Sequence, residues 1–307
     1  MFNVSRRRVL VSALLTVPWV SACSVSPPAA IADVGPDAGN EPARITALAP
    51  RFAQLERDAR ARLGVAAFDT GTGARIAYRA DELFPLCSTW KVLAVAALLL
   101  RSTREPMLLQ RTILIRQEDL IDGALVTAQH VGQQMSVEQL CAATIRYSDN
   151  TAGNLLLDVL GGTAAVTAYA RTLGDPITRL DRKEPEVNSA FAGDLRDTTT
   201  PLAMLGDLQK IVLSGALPAP QAALLQSWLL GSMLGAQRIR AGVPPAWRVA
   251  DKTAGGVNGV NGDIAVIWPP YRAPLLLTIF VARPDRSNDG LPKMIADATR
   301  LVATAFA

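Results

Sequence analysis

Histidine, cysteine and lysine are all scarce in this chain of 307 residues. It contains one histidine, His130, and three cysteines. Zinc hydrolases hold their metal with clusters of such residues, so the composition argues against a zinc site, and neither a metal nor a cofactor is expected. His130 is interpreted as a structural residue of a helix. The lysines are Lys91, Lys183, Lys210, Lys252 and Lys293.

The rest of the composition is that of a globular protein, with 50% hydrophobic and 19% charged residues. The sequence shows no internal repeat and no heptad pattern. Its length suits one large domain or two intertwined domains.

An export signal is predicted at residues 1–22. Three arginines at 6–8 precede an apolar stretch, Val9–Val20, which is too short to span a bilayer. The arginines resemble a twin-arginine signal, and the residues that end at Cys23 resemble a lipobox, whose cysteine becomes the lipidated first residue of the mature protein. The alternative is an ordinary signal peptide that is cleaved nearby. The chain is therefore expected to be periplasmic or a membrane-anchored lipoprotein.

Removal of residues 1–22 changes the charge balance. It deletes three arginines and no acidic residue, so the net charge falls from +4 to +1. A nearly neutral protein gives no indication of nucleic-acid binding. Residues 23–43, rich in proline, alanine and glycine, are predicted to form a flexible tether. Beyond Cys23, we expect Cys87 and Cys141 to be buried free thiols, although a disulfide between them stays open.

Strand and helix patterns occupy different parts of the sequence. Strands are predicted at 61–68, 74–78, 247–253, 264–268 and 275–282, with turn residues between 255 and 262. Helical spacing dominates 88–231, with a capping box at Ser136 and Gln139, and returns at 291–306. We therefore predict an α/β fold of the α+β type, an antiparallel sheet flanked by helices and built from 44–86 plus 232–307. An all-α domain, 87–231, is inserted into it, and the site is expected in the cleft between them.

Ser88 and Lys91 lie three positions apart at the start of an apolar run. On a helix these positions share one face, so the amine of Lys91 can reach the hydroxyl of Ser88. A hydroxyl needs a neighbouring base to act as a nucleophile at neutral pH. The alternative is a surface lysine on the first turn of a buried helix, and the pair alone does not decide between the two.

Two further short motifs follow along the chain. Ser148-Asp149-Asn150 is by itself a turn between helices. Lys252-Thr253-Ala254 ends a predicted strand, where a lysine beside a hydroxyl can anchor a carboxylate. The alternative for Lys252 is an edge-strand lysine that discourages aggregation.

In this order, the three motifs resemble those of the penicillin-recognising serine acyl-transferases. Residues 179–197 resemble the Ω-loop of class A β-lactamases, and the similarity continues through Thr198-Thr199-Thr200-Pro201. The resemblance extends from about Arg44 to the end of the chain. It implies a β-lactamase/transpeptidase-like fold and a β-lactam substrate. We also expect a monomer.

The resemblance implies roles in acylation. Ser88 is the nucleophile, Lys91 and Glu184 are the two candidate bases, and Ser148 passes a proton to the ring nitrogen. Backbone N–H groups of Ser88 and Gly255 form the oxyanion hole.

Substrate binding is implied for a second group of residues. Lys252 and Thr253 hold the substrate carboxylate, Gly255 contacts the substrate, and Asn150 binds its acyl-amide side chain. Arg238 matches a position from which some relatives present a guanidinium to the carboxylate. The alternative for Arg238 is a solvated helix residue.

Turnover of the acyl-enzyme depends on the Ω-loop. The resemblance implies that Glu184 is the base and that Asn188 orients the hydrolytic water. Asn154 matches a residue that ties Glu184 in place, while Arg182 and Asp197 match the ion pair that closes the loop. These residues distinguish a hydrolase from the nearest rival, a penicillin-binding D,D-peptidase that stalls after acylation. A non-hydrolytic lipoprotein that senses β-lactams or peptidoglycan is a rival of a different class.

Three positions depart from the family pattern. Ala254 replaces the usual glycine, and its methyl group could push the strand away from the active-site helix. Gly123 stands where relatives commonly place an aromatic residue, so we expect one wall of the cleft to be more open. No cysteine lies near Gly256 to pair with Cys87, as happens in some carbapenem-hydrolysing relatives.

Overall fold

The computed structural model describes residues 48–283 and 287–307. The predicted signal peptide, Cys23 and the tether at 23–43 lie outside the described residues. Among the described residues, no helix combines the length and the apolar character needed to cross a bilayer.

Nine strands are found in this part of the chain. They are β1 (Arg62–Asp69), β2 (Arg75–Tyr78), β3 (Phe84–Pro85), β4 (Thr112–Leu114), β5 (Gln134–Ser136), β6 (Thr198–Thr199), β7 (Arg248–Gly256), β8 (Val260–Trp268) and β9 (Leu275–Ala282). Five of them form one antiparallel sheet in the order β2-β1-β9-β8-β7. Strands from both ends of the sequence therefore meet in the centre of the sheet.

Both faces of this sheet are buried, as β1 shows. Successive side chains of a strand point to opposite faces. Leu63, Val65 and Ala67 of β1 belong to one apolar cluster. Ala66 and Phe68 belong to another. The sheet consequently needs a cover of helices on each side.

Helices supply both covers. They are α1 (Ala49–Ala59), α2 (Trp90–Ser102), α3 (Val137–Arg146), α4 (Asn150–Leu160), α5 (Thr163–Thr172), α6 (Pro201–Val212), α7 (Ala219–Leu230), α8 (Ile239–Gly242) and α9 (Leu291–Phe306). Phe52 of α1 and Ile295 of α9 are buried against the first face. On the second face α2 lies inside the larger cluster, with Leu93 and Leu98 fully buried. Because α2 begins two residues after Ser88, this packing fixes the position of the serine.

The predicted fold class is confirmed by the antiparallel sheet and its flanking helices. The strand at 275–282 and the helix at 291–306 have the predicted bounds. The capping box also forms, because the N–H of Gln139 donates to Ser136 Oγ at 3.1 Å and the N–H of Ser136 donates to Gln139 Oε1 at 2.8 Å. The division into an α/β domain and an inserted all-α domain stays a prediction.

The turn between β7 and β8 is shorter than the sequence pattern indicates. Gly255 pairs with Asn261 and Gly256 pairs with Val260, so these residues belong to the ladder. The glycine at 256 marks a close contact rather than a turn, since a Cβ there would lie 3.2 Å from the sulfur of Cys87. The Gly/Asn-rich stretch therefore brings the strand against the segment that carries Ser88.

Candidate active site

Ser88 lies on a short 3₁₀ helix, Cys87–Thr89, which leads directly into α2. Lys91 follows on the first turn of α2, and its Nζ donates to Ser88 Oγ at 3.2 Å. Lys91 is fully buried and Ser88 is 7% exposed. The burial excludes the alternative of a surface lysine.

The amine of Lys91 is surrounded by oxygen atoms. It donates to Asn150 Oδ1 at 2.6 Å and to the backbone oxygen of Ser148 at 2.8 Å. Oε1 of Glu184 lies 3.1 Å away as an ion pair, without the angle of a hydrogen bond. Burial lowers the pKa of Lys91 because it desolvates the charged form, and the charge of Glu184 opposes this shift. A lysine with a lowered pKa can accept a proton from a neighbouring hydroxyl.

Ser148 lies between two buried amines. Its Oγ accepts hydrogen bonds from Lys252 Nζ at 2.9 Å and from Lys91 Nζ at 3.3 Å. Burial, and next the positive charge of Lys91, lower the pKa of Lys252 well below its usual value. A hydroxyl in contact with two such amines can pass a proton from one side to the other. Lys252 lies inside the protein, so the alternative of an exposed edge-strand lysine does not hold.

Asp149 supports this turn, although the sequence analysis gave it no role. Its buried carboxylate accepts hydrogen bonds from the backbone N–H groups of Val126 and Thr127 at 2.8 and 2.9 Å. It also caps α4 through the N–H of Ala152 at 2.8 Å. An aspartate directly before a helical pattern is a helix N-cap signal, so the sequence did contain a sign of this function.

Glu184 is fixed through both its backbone and its side chain. Asn154 donates to the backbone oxygen of Glu184 at 2.8 Å and accepts from its N–H at 3.0 Å. Nδ2 of Asn188 donates to Glu184 Oε2. The side chain of Glu184 is fully buried. The structure thus brings Glu184, Asn154 and Asn188 together beside Lys91.

Arg182 and Asp197 close the segment 179–197. Nε of Arg182 donates to Asp197 Oδ2 at 2.5 Å. The other oxygen of Asp197 accepts from the backbone N–H groups of Asp181 and Arg182 at 2.7 and 2.9 Å. Asp197 is 1% exposed. One buried carboxylate therefore joins the two ends of the segment that carries Glu184.

Arg238 precedes α8 and faces β8. Its Nε and Nη2 donate to Asn261 Oδ1 at 3.0 and 2.8 Å. Desolvation lowers the pKa of Arg238, against the attraction of Asp263 and Asp251. The charge of Arg238 in turn contributes to the lowered pKa of Lys252, so both cations occupy one electrostatic neighbourhood. A fully solvated helix arginine would not make these two hydrogen bonds to Asn261.

Ala254 is accommodated in the core beside the nucleophile segment. Its side chain is 2% exposed and packs in a small apolar cluster with Cys87, Ala190 and Val260. Gly262 is its partner on β8, and a Cβ on that glycine would lie 3.0 Å from the ring of Phe280. The ladder continues through Gly255 and Gly256 without interruption.

The remaining predicted positions are also placed. A Cβ on Gly123 would lie 2.7 Å from Asn150 Nδ2, and its φ of +86° favours glycine. His130 ends a 3₁₀ turn, and its Nδ1 lies 3.0 Å from the backbone oxygen of Val126. Cys87 and Cys141 are buried free thiols, as predicted.

Comparison with known proteins agrees with this geometry. The model of a family described as "Beta-lactamase enzyme family" matches residues 47–306. The chain is 46% identical to a β-lactamase of Citrobacter koseri over 257 residues, which are 84% of this chain and 87% of the relative. The structure matches "Ancestral (GNCA) Beta-lactamase class A" with a TM-score of 0.82 and 50% identity, covering 84% of this chain and 100% of that one. The chain belongs to the class A serine β-lactamases.

Other members of the family are similar over the same range. A β-lactamase of Streptomyces albus G is 47% identical over 262 residues, 82% of each chain. The crystal structure of a β-lactamase from Desulfarculus baarsii has a TM-score of 0.84 and 46% identity, covering 86% of this β-lactamase and 98% of that chain. The fold of the class A β-lactamases therefore accounts for nearly all described residues.

Proposed function

We propose that this class A β-lactamase opens the amide bond of the β-lactam ring through an acyl-enzyme on Ser88 and then hydrolyses that ester, which gives resistance to the antibiotic. The observation that carries the proposal is the contact of Lys91 with Ser88, Ser148 and Glu184 at distances of 3.1 to 3.3 Å. One buried amine thereby connects the nucleophile with both groups that can take or deliver its proton.

Acylation forms the bond between Ser88 Oγ and the carbonyl carbon and breaks the bond from that carbon to the ring nitrogen. The proton of Ser88 passes to Lys91 or Glu184, and the ring nitrogen receives a proton from Ser148. The lowered pKa of Lys91 favours its neutral form and supports it as a base. Glu184, 3.1 Å from the same amine, remains the alternative base.

The substrate carboxylate is assigned to Lys252, Thr253 and Arg238. Lys252 is 1% exposed, and a bound carboxylate favours the charged form of a lysine whose pKa burial has lowered. The backbone N–H groups of Ser88 and Gly255 form the oxyanion hole, where loss of one donor typically costs about 3–4 kcal/mol of transition-state stabilisation. Asn150 contacts the acyl-amide group of the substrate.

Deacylation requires a water that is held and deprotonated. Glu184 takes the proton, and Asn188 orients the water through the oxygen of its carboxamide. That oxygen is buried and makes no hydrogen bond to any described residue, so it can accept one from water. The hydroxide adds to the ester carbon, the bond to Ser88 Oγ breaks, and the proton returns to Ser88.

The test is the variant Glu184→Gln, with Glu186→Gln as a matched control. Glu186 lies two residues away on the 3₁₀ turn but is exposed. We expect the Glu184 variant to lose steady-state turnover by at least about a hundredfold, as for other catalytic acid–base groups. Intact-mass measurement should show a persistent adduct on Ser88, whereas the control turns over normally.

The outcomes of this experiment separate the three candidate functions. Fast turnover by Glu184→Gln would remove Glu184 from the mechanism. A stoichiometric burst without turnover by the unmodified enzyme would indicate a penicillin-binding protein. No turnover by the unmodified enzyme, together with no adduct on Ser88 in any variant, would indicate a non-catalytic sensor.

We also propose that the enzyme is exported as a monomer with residues 1–22 as its signal, and that Cys23 carries a lipid. The support is the arginine cluster and apolar stretch ahead of a lipobox-like sequence. Membrane fractionation of the full chain and of Cys23→Ser tests the anchor, since only the unmodified chain should remain with the membrane. Size-exclusion chromatography with light scattering tests the monomer.

A further inference from the structure

One side chain, Asn261, holds the guanidinium of Arg238. Asn261 lies on β8 and is 5% exposed. Its Oδ1 accepts hydrogen bonds from Nε at 3.0 Å and from Nη2 at 2.8 Å. A third bond joins Nη1 to the backbone oxygen of Leu234 at 2.9 Å. Three bonds in two directions fix the plane of the guanidinium.

These bonds leave part of the guanidinium free for a ligand. Arginine carries five N–H donors in a planar fork. Three have partners among the described residues, and the remaining two belong to Nη1 and Nη2. Two neighbouring N–H groups match the two oxygens of a carboxylate.

The register of the sheet places this donor pair at the proposed site. Asn261 pairs directly with Gly255, the residue assigned to the oxyanion hole. Paired residues in an antiparallel ladder have their side chains on the same face and within about 5.5 Å of each other at Cβ. Arg238, held by Asn261, therefore lies beside the strand that carries Lys252 and Thr253.

The orientation of the Asn261 amide is set from its other end. Its Nδ2 lies 3.5 Å from Asn288 Oδ1, and Nδ2 of Asn288 donates to the backbone oxygen of Gly256 at 2.9 Å. With Nδ2 directed at an acceptor, Oδ1 faces the donors of Arg238. The reverse orientation would place the amide N–H groups of Asn261 against the N–H groups of the guanidinium.

Asn261 holds Arg238 without neutralising it. Among the described residues, no carboxylate forms an ion pair with Arg238. The two nearby acids are bonded elsewhere: Asp251 accepts from Arg240 Nε at 2.5 Å, and Asp263 accepts from the N–H of Ile239 at 3.1 Å. No carboxylate among the described residues therefore bonds directly to the guanidinium, and Asp251 and Asp263 act on it only through their charge.

We propose that Asn261 is a positioning residue for binding of the substrate carboxylate. Asn261 orients Arg238, and because the asparagine is neutral it leaves the charge of Arg238 unpaired. The inference rests on the proposed role of Arg238 in substrate binding. It assigns two requirements to position 261, a hydrogen-bond acceptor and the absence of charge.

Two variants separate these requirements. Asn261→Ala removes the acceptor, and Asn261→Asp keeps it but adds a charge that pairs with Arg238. Each is assayed with benzylpenicillin and with its methyl ester, which lacks the anionic carboxylate. We expect both variants to raise KM for the acid by about tenfold or more, the usual effect of losing a hydrogen bond to a charged group. The kcat should change little, and the kinetics with the ester should equal those of the unmodified enzyme.

Arg238→Ala and the double variant Arg238→Ala/Asn261→Ala complete the design. If Asn261 acts through Arg238, the double variant should be no worse than Arg238→Ala alone. Equal losses with acid and ester would overturn the proposal, because they would indicate a general structural defect. An unchanged KM for the acid in Asn261→Asp would also overturn it. Failure of the unmodified enzyme to hydrolyse either compound would instead refute the proposed function itself.

Discussion

Restoring glycine at position 254 tests whether the methyl group of Ala254 disturbs the active-site strand. The methyl is 2% exposed and packs against Cys87, Ala190 and Val260, opposite Gly262. Because it fills space that the fold already provides, we expect Ala254→Gly to destabilise the protein. Loss of one buried methyl costs about 0.8 kcal/mol, and glycine in a strand costs about 0.5–1 kcal/mol in backbone entropy.

The expected change in the free energy of unfolding is therefore a decrease of about 1–2 kcal/mol, measured by urea denaturation. The kcat/KM for a chromogenic cephalosporin should stay within about threefold of the unmodified enzyme, less than 1 kcal/mol of barrier. Ala250→Gly is the matched control, since Ala250 is fully buried on the same strand but does not belong to the apolar cluster of Ala254 with Cys87, Ala190 and Val260. An Ala254→Gly enzyme with unchanged or higher stability and about tenfold greater kcat/KM would refute the reasoning, because the methyl would then be displacing the strand.

Three further predictions concern other buried groups. Burial, and next the charge of Asp175, raise the pKa of Asp207 well above 3.8. Above pH 3.8 the unfolded chain therefore releases a proton that the folded protein keeps. The free energy of unfolding consequently falls as the pH rises above 3.8. Asp207→Asn should thus raise the free energy of unfolding more at pH 8 than at pH 4.5, and an equal difference at both values would contradict the assignment. Asp197→Asn should lower the free energy of unfolding by about 2–3 kcal/mol. This is less than the roughly 3–5 kcal/mol lost when a fully buried ion pair is broken, because Arg182 is partly exposed. A loss under about 0.5 kcal/mol in urea denaturation would contradict this expectation. Burial raises the pKa of the Cys87 and Cys141 thiols, so neither should react with a thiol reagent until the protein unfolds, and rapid labelling of the native enzyme would show that this burial is wrong.

Local patterns were sufficient for the parts of the fold that depend on neighbouring residues. Helical spacing placed α3, together with its capping box, and the final helix, while a short apolar run placed β9. The turn between β7 and β8 was harder to assign, because glycine is favoured both in turns and where two segments approach closely. Only the packing of Gly256 on Cys87 distinguishes the two cases.

The residues proposed to carry the chemistry were identified from the sequence alone. Ser88, Lys91, Ser148, Glu184 and Lys252 stand in motifs whose order and spacing imply an acyl-enzyme, and such patterns are legible because they are short and local. Tertiary structure alone decided how distant residues support them. Asp149 contacts Val126 and Thr127, and Asn261 contacts Arg238, through the folding of separate segments onto one another. These contacts depend on strand register and loop packing, which no local pattern encodes, so the support of the site emerged only when the chain was folded.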